Sequence, residues 1–111
     1  MSAFDTLPNV HGISEVALRS PFSALCSVTN DRFSGEIIVT YRPGASLIEF
    51  VSFGEYIKDF DESETTTEAL AREIFDTVKE TVQPLTLRVE VDVQTAAHIP
   101  AWCKIEEGYE D

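Results

Sequence analysis

Residues 65–94 read TTTEALAREIFDTVKETVQPLTLRVEVDVQ, and the hydrophobic period changes once inside that stretch. In its first half Leu70, Ile74, Phe75, Val78 and Val82 recur at helical spacing and make one apolar stripe. Thr65-Thr66-Thr67-Glu68 ahead of the stripe has the Thr-x-x-Glu form of a capping box. Gln83-Pro84 ends the helix, because a residue before proline avoids the α region and proline itself has no N–H to donate. In the second half Leu87, Val89, Val91 and Val93 alternate with Arg88, Glu90, Asp92 and Gln94. Period two with charges on one side predicts an antiparallel strand, buried on one face and wet on the other.

The same reading extends in both directions. Upstream, Ile13 to Arg19 and Phe22 to Thr29 each alternate, the second with Phe22, Ala24, Cys26 and Val28 on one face. Asn30-Asp31-Arg32 is a turn, and Gly35 to Tyr41 is the next strand, stopped by Pro43-Gly44. Leu47, Phe50, Val51, Ile57 and Phe60 fall at helical spacing and predict a first helix over 46–60, weakened by Gly54. A short strand follows near Trp102 to Ile105. The predicted order is β-β-α-α-β-β, an α+β fold with an antiparallel sheet and both helices on one face. The whole of 1–111 is expected to be a single domain, with 1–12 a loose N-terminal arm and 106–111 an acidic tail. Four strands leave two long edges, which pairing with neighbouring copies into a closed barrel would satisfy.

Composition narrows the function. The net charge is −12, from twenty acidic and eight basic residues, so tight nonspecific binding to nucleic acid is disfavoured. No apolar run approaches a bilayer span, and the first residues lack a basic and apolar leader pattern. Two cysteines are too few for a disulfide framework and suit a reducing compartment, so the expectation is a cytoplasmic protein with no membrane association. Two histidines and two cysteines scattered this widely form no metal-ligand pattern, and no metal is expected. Gly44 and Gly54 make no phosphate loop.

Among the remaining residues Cys26 stands out. It sits at a strand end beside a turn, where a side chain is held firmly and still reached by a ligand. Its sulfur is the strongest nucleophile in the chain once the thiolate is populated.

Residues 26–84 resemble the 7-cyano-7-deazaguanine reductase (QueF) family of the tunnelling fold. The resemblance is carried by Cys-x-Val-Thr at Cys26 to Thr29, the strand Gly35 to Tyr41 with Arg42-Pro43, Leu47-Ile48-Glu49, and Glu68 sixteen residues before Pro84. It implies a tunnelling fold assembled into homo-oligomeric rings, pentamers or decamers, with ligand pockets at subunit boundaries. It implies that Cys26 attacks the nitrile carbon of 7-cyano-7-deazaguanine to form a thioimide. It also implies that Glu68 binds the guanine-like edge of the base, where a carboxylate accepts two parallel N–H bonds. Glu49 and Ser52 fall at supporting substrate positions.

This chain also departs from the family pattern. The reductases carry a Glu-x-Lys-x-x-Lys pattern tied to NADPH, and Val51 and Gly54 replace both lysines here, beside Glu55. Phe33 stands where the family has a proton-donating aspartate, leaving Asp31 as a substitute acid. Thr67 stands where a histidine precedes the binding glutamate, and His98 is the other candidate for proton handling. A branch of the family lacks the NADPH pattern and adds ammonia to the same nitrile on tRNA, giving an amidine. The expected function is therefore nitrile chemistry of 7-deazaguanine metabolism without a cofactor, on the base, its nucleoside or a tRNA form, with ammonia or water as second nucleophile. The alternatives are an NADPH-dependent reductase and a non-catalytic 7-deazaguanine or pterin-binding module.

Overall fold

The computed structural model describes residues 3–97 and 99–109. Two long strands open it, β2 (Val16–Cys26) and β3 (Arg32–Arg42), preceded by a short β1 (Thr6–Pro8). β4 (Ser46–Ile48) leads into helix α1 (Phe50–Lys58) and a 3-10 turn, Asp59–Glu62. β5 (Glu64–Thr65) leads into helix α2 (Thr67–Val82), and β6 (Thr86–Thr95) and β7 (Ala101–Glu107) complete the chain. The main sheet has the order β5-β2-β3-β6-β7, antiparallel except for the two-residue parallel pair of β5 with β2. β1 and β4 form a separate antiparallel pair. The main elements β2-β3-α1-α2-β6-β7 are the predicted α+β order, with short strands added between them.

Core and solvent faces follow from the alternation. Ile37, Val39 and Tyr41 of β3 and Val89 and Val91 of β6 are fully buried. They meet Leu70, Ala71, Ile74, Phe75 and Val78 of α2 in one hydrophobic cluster. Truncating such a side chain, as in Ile74→Ala, costs about 2–5 kcal/mol. The opposite face of the sheet carries the ion pairs Arg19–Glu36 at 3.0 Å and Arg88–Glu106 at 2.8 Å. A Cβ on Gly35 would lie 1.9 Å from the Asp92 carbonyl oxygen, so only glycine fits where β3 slips register against β6.

Several boundaries differ from the sequence reading. The two alternating runs are one strand, and Pro21 is tolerated within it because β5 covers only the last two residues of that edge. That strand ends at Cys26, and Val28 is an exposed turn residue instead of a face-mate of Cys26. The expected helix over 46–60 starts at Phe50, because Ser46–Ile48 pairs with β1 and Glu49 becomes the cap. The N-terminal arm is docked from Phe4 onward. Phe4 is buried edge-to-face against Phe53 at 5.2 Å, and Thr6–Pro8 pair with β4. In the acidic tail, Glu106 and Glu107 belong to β7 and bond to Arg88 and Lys79. Tyr109 lies under the Arg88 guanidinium, 4.6 Å from ring centre to carbon.

Candidate active site

Cys26 is the last residue of β2, and hydrogen bonds fix its backbone on three sides. Its N–H donates to the Asp31 carbonyl at 2.8 Å, and its carbonyl accepts from the Asn30 N–H at 2.8 Å. On the other edge the Ser27 N–H donates to the Thr65 carbonyl at 3.0 Å. Asn30 takes a left-handed φ of 64°, a conformation asparagine reaches more readily than most residues. The turn between β2 and β3 is thereby closed.

The α2 N-terminus faces that turn. Thr66, not Thr65, is the N-cap, and its hydroxyl oxygen accepts from the Ala69 N–H at 3.1 Å. The capping box expected from Thr65 and Glu68 is therefore not formed. With the cap one residue later, Glu68 sits in the first turn without a capping duty, and it is exposed.

Between the two elements lies a cavity of about 230 Å³. Cys26, Thr29, Asp31 and Phe33 line one side, and Thr65 to Glu68 line the other. Val93, Ala96 and Ile99 close it with apolar surface. The volume is below the about 300–1,000 Å³ of pockets that enclose drug-sized ligands, so it suits a small heterocycle. Arg32 reaches its rim, but its guanidinium is engaged. It donates to Asp61 Oδ1 at 2.9 Å, to Ser23 Oγ at 2.8 Å and to Glu62 Oε1 at 3.1 Å. That clamp ties the 3-10 turn to the start of β3.

The two thiols differ in acidity. Hydrogen bonding from the N–H and hydroxyl of Thr29 and the N–H of Val28 pulls the Cys26 pKa below the ordinary thiol value, against desolvation and, after it, the charge of Asp31. Burial, with the Glu68 charge added, pushes Cys103 the other way. Cys103 lies under the first turn of α2, its Sγ 3.9 Å from the Thr67 carbonyl oxygen. Both cysteines are free.

Of the residues singled out in the sequence, Cys26, Asp31, Thr67 and Glu68 share this cavity. Glu49 and Ser52 do not. Glu49 caps α1, its carboxylate accepting from the N–H groups of Val51 at 2.7 Å and Ser52 at 3.0 Å. Ser52 Oγ accepts from the Asp5 N–H at 2.8 Å. The Ile48 N–H beside them bonds to the Tyr41 hydroxyl at 2.8 Å. Tyr41 is eight residues from Phe33 along β3, roughly 26 Å. His98 lies outside the described residues. The sequence reading missed Thr29 as a site residue, although it closes the Cys-x-Val-Thr run.

The α1 surface does not fit a dinucleotide phosphate. Val51 is 70 % exposed where the reductase pattern has a lysine, and the only basic residue of α1 is Lys58 in its last turn. Among the described residues no group of three His, Cys, Asp or Glu side chains is arranged to hold a metal ion, and no helix is long and apolar enough to cross a membrane.

The fold has a close counterpart among solved structures. The crystal structure of the archaeosine synthase QueF-Like in the apo form is similar at a TM-score of 0.82 and 22% identity. The similarity covers 89% of this chain and 98% of that one, and at this identity it establishes the tunnelling-fold architecture. No curated protein gives a significant match to the sequence. The family model described as QueF-like protein matches residues 33–110, beginning after Cys26 and including Glu68. Since that span is well over half of the chain, the protein is a member of the QueF-like family.

Proposed function

We propose that this protein acts on the nitrile of 7-cyano-7-deazaguanine through a covalent thioimide, without NADPH. The observation that carries the reading is the convergence of Cys26 and Glu68 on one small cavity, with the Cys26 sulfur made more acidic by its own turn. Membership of the QueF-like family and the fold of an archaeosine synthase support a place in 7-deazaguanine metabolism.

The chemistry balances as follows. Glu68 accepts two hydrogen bonds from the ring and exocyclic N–H groups of the base and orients the nitrile toward Cys26. The thiolate forms a C–S bond to the nitrile carbon, and the nitrile nitrogen takes a proton, a transfer assigned to Asp31, the acidic residue of the cavity lining other than Glu68. Ammonia then adds to the thioimide carbon, and the C–S bond breaks to leave the amidine and restore the thiol. Thr67 and the apolar wall around Phe33 shape the remaining surface. Glu49 and Ser52 act through the cap of α1 and not through this cavity. The charge of −12, with Arg32 committed to Asp61 and Glu62, favours the free base or nucleoside over tRNA. Ring assembly of copies through the open edges of β2 and β7 fits the topology.

Intact-protein mass after incubation with 7-cyano-7-deazaguanine tests the proposal. The expected result is a gain equal to the ligand in the wild type and none in Cys26→Ala. Binding by calorimetry without a mass gain would replace it with a non-catalytic binding module. Oxidation of NADPH by the wild type would replace it with the reductase.

A further inference from the structure

We propose that Arg32 is a positioning residue for the pair Cys26 and Glu68: its guanidinium straps the 3-10 turn to the edge strand β2, and so fixes how far the start of α2 stands from the nucleophile. This inference rests on the reading of Cys26 as nucleophile and Glu68 as base anchor, and Arg32 acts through those two side chains.

Little backbone holds the start of α2 to Cys26. β5 is two residues long and pairs with Leu25 and Cys26 of β2. The Leu25 N–H donates to the Ser63 carbonyl at 2.9 Å, and the Ser27 N–H to the Thr65 carbonyl at 3.0 Å. Thr66, the cap of α2, follows at once, and Glu68 lies in the first turn. A slip of β5 against β2 therefore moves Glu68 relative to Cys26. Arg32 takes hold just before β5. β2 lies between β3 and β5 in the sheet, so the Arg32 side chain reaches across β2 from β3. Its Nη1 donates to the Asp61 carbonyl at 2.7 Å, to Asp61 Oδ1 at 2.9 Å and to Ser23 Oγ at 2.8 Å. Its Nη2 donates to Glu62 Oε1 at 3.1 Å. The Ser23 hydroxyl donates in turn to Asp61 Oδ1. The Arg32 backbone adjoins Asp31, whose carbonyl accepts the Cys26 N–H at 2.8 Å. One residue thus ties together the two walls of the cavity.

The bonding pattern serves position more than stability. The side chains of Arg32, Asp61 and Glu62 are 44, 53 and 77 % exposed, and ion pairs this wet add little to folding. A planar guanidinium that donates from two nitrogens nevertheless fixes orientation as well as distance. Its acceptors belong to two neighbouring residues of the turn and to one serine of β2, which leaves the turn a single seat. Attack by sulfur needs the nitrile carbon at about 3–3.5 Å while Glu68 holds the other end of the base, so a small displacement at β5 is felt in the rate.

The test uses the full-length protein. Arg32→Met keeps an unbranched stem and removes every donor. Backbone hydrogen exchange is measured first, with no ligand present. Exchange at the Leu25 and Ser27 amides is expected to quicken about tenfold, while Val89 and Val91 of β6 keep the parental protection. Unchanged exchange at Leu25 and Ser27 overturns the proposal. So does a quickening that reaches β6 equally, because Arg32 would then support the fold at large. Thioimide formation at saturating 7-cyano-7-deazaguanine is followed next by intact mass. In Arg32→Met its rate is expected to fall about tenfold, with the calorimetric dissociation constant moved less than about threefold. A loss carried wholly by affinity overturns the proposal. Asp61→Ala is expected to show the same loss of rate, and joining it to Arg32→Met should add nothing further. Additive losses overturn the proposal. Quickened exchange in Arg32→Met with no adduct in the wild type would sink the proposed function and leave the strap on β5 standing. A wild-type adduct that forms as fast in Arg32→Met would sink this inference and leave the proposed function standing.

Discussion

The two helices begin in opposite ways, and the contrast explains which glutamate is available to a ligand. At α1 the cap is Glu49, whose carboxylate takes the N–H groups of Val51 and Ser52 and is thereby occupied. At α2 the cap is Thr66, whose hydroxyl takes the Ala69 N–H and leaves Glu68 in the first turn facing the cavity. Both carboxylates are placed near a positive helix end. Of the two, only Glu68 has oxygens that take no N–H of its own helix end. A shift of one residue in the cap decides whether the carboxylate is spent on its own helix end or left facing the cavity.

The comparison is broken most directly by paired substitutions. Glu68→Gln keeps the size and removes the charge, so binding of 7-cyano-7-deazaguanine should weaken about ten- to a hundredfold by calorimetry. The melting temperature should barely move. Glu49→Gln should do the opposite, lowering the melting temperature by a few degrees while leaving affinity unchanged. If Glu49→Gln weakened binding as much as Glu68→Gln, the division of labour between the two helix ends would be wrong.

A subtler substitution tests whether the cap position itself protects Glu68. Thr66→Ala removes the cap hydroxyl and should cost about 1 kcal/mol of stability in denaturant unfolding. It also frees the frame in which Thr65 caps and Glu68 bonds back to it, the capping box visible in the sequence. Ligand affinity should therefore fall severalfold although Glu68 is untouched. Adding Glu68→Gln to Thr66→Ala should cost less binding than it does alone, a coupling that a double-mutant cycle reads directly. Full additivity would show that Thr66 does not govern the availability of Glu68.

The strong periodic segments were legible in the sequence. The stripe of α2 and the alternation of β6 gave both elements, since each buries one face along its whole length. The place of Cys26 was legible too, because the alternating run stops at the Asn30-Asp31 turn and leaves the cysteine at a strand end, where the structure has it lining the cavity. The caps were not. Three consecutive threonines, Thr65 to Thr67, offer three frames, and tertiary pairing of Thr65 with Cys26 selects the second. Glu49 and Ser52 matched a ligand pattern by spacing alone, and spacing does not reveal that β4 places them at the far end of β3. The docking of the N-terminal arm was hidden for a similar reason. Phe4 belongs to no periodic run, and its partners Phe53 and Tyr56 lie some fifty residues away.

The smallest expected effect is the most specific to the α1 end. The two N–H bonds hold the Glu49 carboxyl below its ordinary range, Val51 contributing most and Ser52 next. A folded-state pKa below the unfolded value means that the stabilisation is complete above the unfolded pKa, about 4.3. It is lost as pH falls through the folded pKa, where the protonated carboxyl no longer attracts both donors. Wild-type protein should therefore lose melting temperature between neutral and acidic pH faster than Glu49→Gln does, and the two curves should converge at the acid end. Many other carboxylates titrate in the same window, so the difference between the curves is the informative quantity. Parallel Glu49→Gln and wild-type curves would show that the cap bonds do not discriminate between the charged and the neutral carboxyl, and the contrast between the two helix ends would then rest on position alone.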